Sequence, residues 1–163
     1  MANNDNKYML RAIQIALKAE QEGNLPIGAV ITLDNKIIAE AGNSILSPLY
    51  HPGRHAEMEA LRNVSAELWL RSPEMTCYST LEPCVMCFGA LLLHGIGRVV
   101  FGAEDTAGGA RAIVNYLPDY YADGLGVPEL VGPVAAEDCD ELYSRALERF
   151  DQLPVVGRLR WGT

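Results

Sequence analysis

The sequence has no apolar run long enough to cross a bilayer, so no membrane partner is expected. Its opening, MANNDNKYMLRAIQ, is polar and then amphipathic. No basic segment there leads into an apolar one, as a secretory signal requires, and a cytoplasmic protein is expected. Cysteines number only four, and in a reducing compartment they are expected as free thiols or metal ligands. Positive charge is also scarce: 13 Lys and Arg stand against 21 Asp and Glu, a formal net charge of −8. A protein that grips a nucleic-acid backbone usually shows a basic face, and none is evident. Nucleic acid is therefore an unlikely partner, and a small-molecule ligand is favoured. Neither an internal repeat nor a linker interrupts the 163 residues, so one domain over 1–163 is expected. With 49% apolar residues, disorder and a short disulfide scaffold are both excluded.

What is present alternates between helix and strand signals. Residues 5–21 read as a helix, with Met9, Ile13, Ala16 and Leu17 at helical spacing and Asn4 or Asp5 to cap it. PIGAVIT at 26–32 and KIIAEA at 36–41 flank Asp34-Asn35 and predict a hairpin. A Gly/Pro-rich loop over 42–54 leads into a helix over 56–68, with Met58, Leu61 and Leu68 facing the core. MTCYST at 75–80 predicts a strand, CVMCFGALLL after Pro83 a helix, and GRVVFG at 97–102 another strand. These two strands flank a helix, so they should pair in parallel. A loop over 103–126, a short fifth strand over 129–134 and an amphipathic helix over 137–150 complete the chain. The order α-β-β-α-β-α-β-β-α implies a mixed sheet with helices packed on it.

Cys84 and Cys87, three apart at a helix start, share one face of the first turn. Free N–H groups and the helix dipole favour their thiolates, a soft pair that suits zinc. One further ligand would leave a fourth position for water, the coordination of a catalytic zinc. Taken alone, CxxC leaves zinc and thiol redox chemistry about even. Cys77, in an apolar strand, reads as core, and Cys139, among acids, as incidental.

The stretch HPGRHAEMEA at 51–60 offers His51, His55, Glu57 and Glu59 as candidates. On helix geometry Glu59, four residues after His55, is at least equal to Glu57. Residues i and i+2 diverge unless His55 lies at the helix edge, outside regular geometry. His55-Ala56-Glu57 followed by Pro83-Cys84-Val85-Met86-Cys87 matches H-x-E…P-C-x-x-C, the signature of zinc nucleobase deaminases. The sequence resembles the cytidine/deoxycytidylate deaminase superfamily, most closely its bacterial tRNA-adenosine-deaminase and guanine-deaminase branch. PIGAV, the Asn of AGNS, HAEMEALR, TLEPCVMC and GRVVFGA carry the likeness, over roughly residues 7–106.

The resemblance implies a cytidine-deaminase-like three-layer α/β/α sandwich with a five-stranded mixed sheet, usually a homodimer. It implies zinc held by His55, Cys84 and Cys87, and Glu57 as proton carrier rather than ligand. Asn43 matches a substrate-binding asparagine, and the backbone near Ala29 and Glu82 should frame the base. Glu59 becomes a helix-face carboxylate, paired with Arg62 at i+3. His51 and Arg54 become rim candidates, and His94 a helix-end cation.

After FGA the chain reads EDTAGGARAIVNYL, and its last helix carries EDCDEL. Glu104, Asp105, Asp119, Asp123 and Glu129 should repel phosphate, and the terminal GRLRW adds only Arg158 and Arg160. The expected substrate is therefore a free nucleobase, nucleoside or related amino-heterocycle, with a guanine-like purine favoured and Asp105 reading its edge. Adenosine-to-inosine deamination in a tRNA anticodon loop is the alternative. Tyr116, Tyr120 and Tyr121 serve equally as pocket cover, dimer contact or packing. Two remote readings complete the set: a structural zinc module and a CxxC redox protein.

Overall fold

The computed structural model describes residues 2–152; the expected contribution of Arg158 and Arg160 lies outside the described residues. Helix α1 (Ala2–Gln21) precedes strands β1 (Gly28–Leu33) and β2 (Lys36–Gly42). Helix α2 (Ala56–Arg62), strand β3 (Thr76–Leu81), helix α3 (Val85–Leu93) and strand β4 (Arg98–Ala103) follow. Strand β5 (Glu129–Val131) and helix α4 (Ala136–Asp151) come last. The sheet runs β2-β1-β3-β4-β5. β1 pairs antiparallel with β2 and β3, whereas β3-β4 and β4-β5 are parallel. The β3-α3-β4 crossover is thus the parallel unit the sequence predicts.

Side-chain alternation explains the layers. Ala29 and Ile31 of β1, Cys77 of β3 and Val99 of β4 pack with Ala56, Ala60 and Leu91 of α2 and α3. The intervening Val30, Tyr78 and Val100 pack with Met9, Ala12 and Ile15 of α1 and Cys139 of α4. Every residue of β1 is buried, because helices cover both faces of the central strands. Two close approaches lock this arrangement. A Cβ at Gly28 would lie 2.1 Å from the Ala12 carbonyl oxygen, and one at Gly102 would lie 2.2 Å from Cys139 Sγ. Cys139, read as incidental, is therefore a core residue: it faces the sheet while the acids around it face outward.

Several boundaries differ from expectation. The helix predicted over 56–68 stops at Arg62, and 3-10 turns over Ala66–Glu74 follow, with Pro73 inside them. α2 ends at its cap Asn63, and the extended backbone of Ser65 (φ −63°, ψ 137°) breaks the spiral before the 3-10 turns begin. Leu68 still packs against the core from there. Leu17 is 39% exposed, because the buried stripe of α1 runs through Met9, Ala12, Ala16 and Ala19. The loop over 103–126 contains two short helical segments, Ala110–Tyr116 and Tyr120–Gly126. β5 ends at Val131, short of the predicted 134, where Gly132 and then Pro133, which has no N–H to donate, follow. Among the described residues no helix is long and apolar enough to cross a membrane.

Candidate active site

His55, Cys84 and Cys87 come together at the N-termini of α2 and α3. Their donor atoms all lie within 4.8 Å of one another, and Cys84 Sγ is 3.7 Å from His55 Nδ1. The i,i+2 conflict between His55 and Glu57 resolves as the sequence requires. His55 is the residue before α2, with extended backbone (φ −70°, ψ 155°), so its ring leaves the helical spiral. Cys84 holds the same place before α3 (φ −68°, ψ 171°), and Cys87 lies fully buried in the first turn. One imidazole and two sulfurs form a donor set that suits zinc. Three such ligands leave a position for water, which separates this arrangement from a closed structural site.

Glu57, 3% exposed, lies against this group. Its Oε1 accepts the Ser79 hydroxyl at 3.0 Å and its Oε2 accepts the Cys87 thiol at 3.4 Å. Burial raises its pKa, so the carboxyl takes a proton more readily than an exposed one. Cys84 is drawn down to about 4 by the hydrogen bond from Cys87, against the opposing effect of burial, with help from His55. Cys87 is pushed up by that same bond and by burial. Burial opposes charge on His55, yet the Cys84 and Glu57 negative charges raise its pKa above the ordinary value.

Glu59 points elsewhere. Its carboxylate pairs with Arg54 at 3.0 Å and Arg62 at 3.1 Å, on the helix face. Arg54 is thus engaged by Glu59 rather than by the cluster. His94 ends α3, with Nδ1 2.7 Å from the Ala90 carbonyl.

A cleft of about 180 Å³ opens beside the cluster, lined by His55, Glu57 and Cys84 together with Asn43, Glu82 and Asp105. Asn43, 1% exposed, uses Oδ1 to accept the Ile45 N–H at 3.1 Å, while its Nδ2 is the buried polar atom without a partner among the described residues. A buried donor with nothing to bind costs stability, and a ligand in the cleft would satisfy it. Ala29 lies buried in β1 between Ala41 and Ser79, two residues from the lining residue Ile27. His51 is exposed, outside the lining, with Nδ1 accepting the Gly53 N–H. Tyr116 and Tyr120 are exposed away from the cleft, and Tyr121 packs against Tyr120 and α3.

Two contributors escaped the sequence reading. Ser79 is one; nothing in MTCYST marks it until β3 is known to face α2. The other is α4, whose Tyr143, Ala146, Leu147 and Phe150 form the outer wall of the cleft. Their i, i+3, i+4, i+7 spacing was visible, but which cavity they line depends on the sheet order.

A buried carboxylate beside a water-activating metal is the equipment for replacing an amine on a ring carbon by oxygen, the chemistry of zinc-dependent hydrolytic deaminases. The chain belongs to the cytidine and deoxycytidylate deaminase family, whose zinc-binding-region model matches residues 2–103. The tRNA-specific adenosine deaminase of Haemophilus influenzae is 37% identical over 147 residues, covering 89% of this chain and 84% of the relative. That of Bacillus subtilis is 38% identical over 143 residues, covering 86% of each. A solved tRNA:A34 deaminase, which edits A to I at the wobble position of transfer RNA, superposes with a TM-score of 0.71. It is 29% identical, covering 83% of this chain and 98% of that one. Guanine deaminase from Nitrosomonas europaea shares the fold at 20% identity (TM-score 0.67, 87% of this chain and 84% of that one).

These relatives overturn the expectation of a small-molecule partner with nucleic acid unlikely: at this identity and coverage, the similar proteins are tRNA-specific. Three of the five acids invoked against phosphate are engaged within the fold. Glu104 pairs with Arg111 at 3.1 Å and Glu129 with Arg98 at 3.1 Å. Asp105 accepts the Tyr143 hydroxyl at 2.8 Å. A whole-chain sum of −8 does not describe the field at one cleft.

Proposed function

We propose that this enzyme hydrolytically deaminates an adenosine of tRNA to inosine, with release of ammonia. The supporting observation is the identity to tRNA-specific adenosine deaminases, at 37–38%, running along 84–86% of those relatives. His55, Cys84 and Cys87 would hold zinc, which when bound activates water by lowering its pKa to about 7. Glu57 takes a proton from the water that adds to C6 of the base. It delivers that proton to the adjacent ring nitrogen, then takes the remaining proton of the added hydroxyl and delivers it to the departing amine. The C6–N bond breaks, ammonia leaves and a carbonyl remains. Ser79 holds the Glu57 carboxylate in place through its 3.0 Å hydrogen bond. Asn43 Nδ2 donates to an acceptor of the bound nucleoside, the backbone near Ala29 frames it, and Asp105 meets its outer edge. His51 lies at the rim.

A tRNA substrate is in keeping with the expected cytoplasmic location. Exposed Val85, Met86 and Leu93 on α3 support association of two copies, which light scattering checks. The function is tested by incubating zinc-loaded protein with an anticodon stem-loop carrying adenosine and, separately, with free bases and nucleosides. Inosine formation in the stem-loop is expected. Ammonia release from the free compounds alone would refute the proposal.

A further inference from the structure

Glu82 is a buried carboxylate at the cleft that proton transfer does not use. It is 3% exposed and immediately precedes Pro83-Cys84. Its Oε2 accepts the Asp105 N–H at 3.1 Å and lies 3.2 Å from Arg111 Nη2; its Oε1 accepts the Arg111 N–H at 3.1 Å. The segment after β4 wraps round this group. The Glu82 N–H donates to the Ala103 carbonyl at 2.8 Å, and the Ala110 N–H to the Pro83 carbonyl at 2.9 Å. Gly109 passes so close that a Cβ would lie 2.4 Å from the Glu82 carboxyl carbon. A carboxylate is the one acidic or amide end-group that fits, since three donors converge on two oxygens. Glutamine would turn its NH₂ toward a donor.

What this wrapping presents to the cleft is Asp105. Its Oδ1 gathers the Ala107 N–H (3.1 Å), the Gly108 N–H (2.9 Å) and the Tyr143 hydroxyl (2.8 Å). Tyr143 comes from α4, so this bond joins the cleft wall to the last described helix. Burial, with the Asp105 carboxylate, pushes the Tyr143 phenol up to about 12, and it stays a donor at neutral pH.

We infer that Glu82 and Tyr143 are positioning residues: Glu82 holds the Asp105 backbone and Tyr143 its carboxylate, so that Asp105 meets the substrate in a fixed place. This rests on the reading that Asp105 contacts the bound nucleoside. The two residues act on substrate binding and not on the proton transfers of Glu57.

The test uses the zinc-loaded full chain and the anticodon stem-loop. Tyr143→Phe removes one hydroxyl and keeps the ring. KM is expected to rise about tenfold, the worth of a hydrogen bond to a charged group, with kcat within about twofold. Glu82→Gln shifts KM the same way and further. In an Asp105→Ala background Tyr143→Phe adds nothing, because the carboxylate it holds is gone. An unchanged KM in Tyr143→Phe, or effects that multiply in the double variant, would overturn the inference. Asp105→Ala with unchanged KM would instead refute the substrate contact. The positioning is then read without substrate, by amide exchange: Glu82→Gln is expected to speed exchange at Asp105 and Arg111 about tenfold while α1 stays protected, and unchanged exchange overturns it.

Discussion

Replacing Glu57 by glutamine keeps the size of the side chain and removes its ability to carry a proton. The site tolerates the shape: Oε1 already accepts from Ser79 at 3.0 Å, and a glutamine oxygen can do the same. Zinc binding should survive, because the His55/Cys84/Cys87 donor set is untouched. The expected loss is that of a general acid–base group, on the order of 10²–10⁴ in kcat. Glu59→Gln is the matched control, two residues away on the same helix. It disrupts the ion pairs with Arg54 and Arg62, which lie at the surface and contribute little to stability. Its activity should remain within about twofold of the parent. The assay is single-turnover inosine formation, with zinc content measured on each variant. If Glu57→Gln stays within tenfold of the parent while fully zinc-loaded, or if Glu59→Gln abolishes turnover, the assignment of the proton carrier is wrong.

Other consequences are as direct. Asn43→Ala should raise KM about tenfold and cost about 1 kcal/mol of stability from the freed Ile45 N–H, read by kinetics and by urea melts. Asp5 is hydrogen-bonded by Arg98 at 2.8 Å, which outweighs burial and holds its carboxyl below the usual range. Asp5→Asn should cost about 1–3 kcal/mol at pH 7. Because the folded pKa is depressed, the parent holds that advantage above the unfolded value, about 3.9. It loses the advantage as pH falls through the lower folded value, and urea melts from pH 7 to 2 follow the convergence of the two proteins. Gly102→Ala places a methyl 2.2 Å from Cys139 Sγ and 2.8 Å from the Thr80 carbonyl oxygen. About 1–3 kcal/mol of destabilisation is expected, a drop in Tm of several degrees by calorimetry.

What the sequence reveals is the part of the molecule that local chemistry dictates. His55-x-Glu57 and Cys84-x-x-Cys87 each open a helix after a loop; helix spacing leaves Glu59 at least equal to Glu57, and only the paired H-x-E…P-C-x-x-C signature chooses between them. The sheet direction on either side of α3 follows from a crossover rule. Other features depend on contacts between distant segments. Ser79 reaches Glu57 because β3 lies opposite α2, and Tyr143 reaches Asp105 across 38 residues. Cys139 looks incidental among acids until Gly102 is seen to leave room for it. The net charge misled for a related reason: a whole-chain sum does not say where charge lies, and folding places Glu104 and Glu129 each against an arginine. The helix over 56–68 shortened because Asn63 caps α2 and Ser65 adopts extended backbone (φ −63°, ψ 137°).

Under the proposed function a His/Cys/Cys zinc site and Glu57 act on adenosine presented by tRNA. One measurement bears on it most directly: time-resolved conversion of adenosine to inosine in an anticodon stem-loop by zinc-loaded protein, with and without chelator. Stoichiometric inosine and ammonia are expected, abolished by zinc removal and restored by zinc. An intact stem-loop after exposure to zinc-replete, folded protein would contradict it.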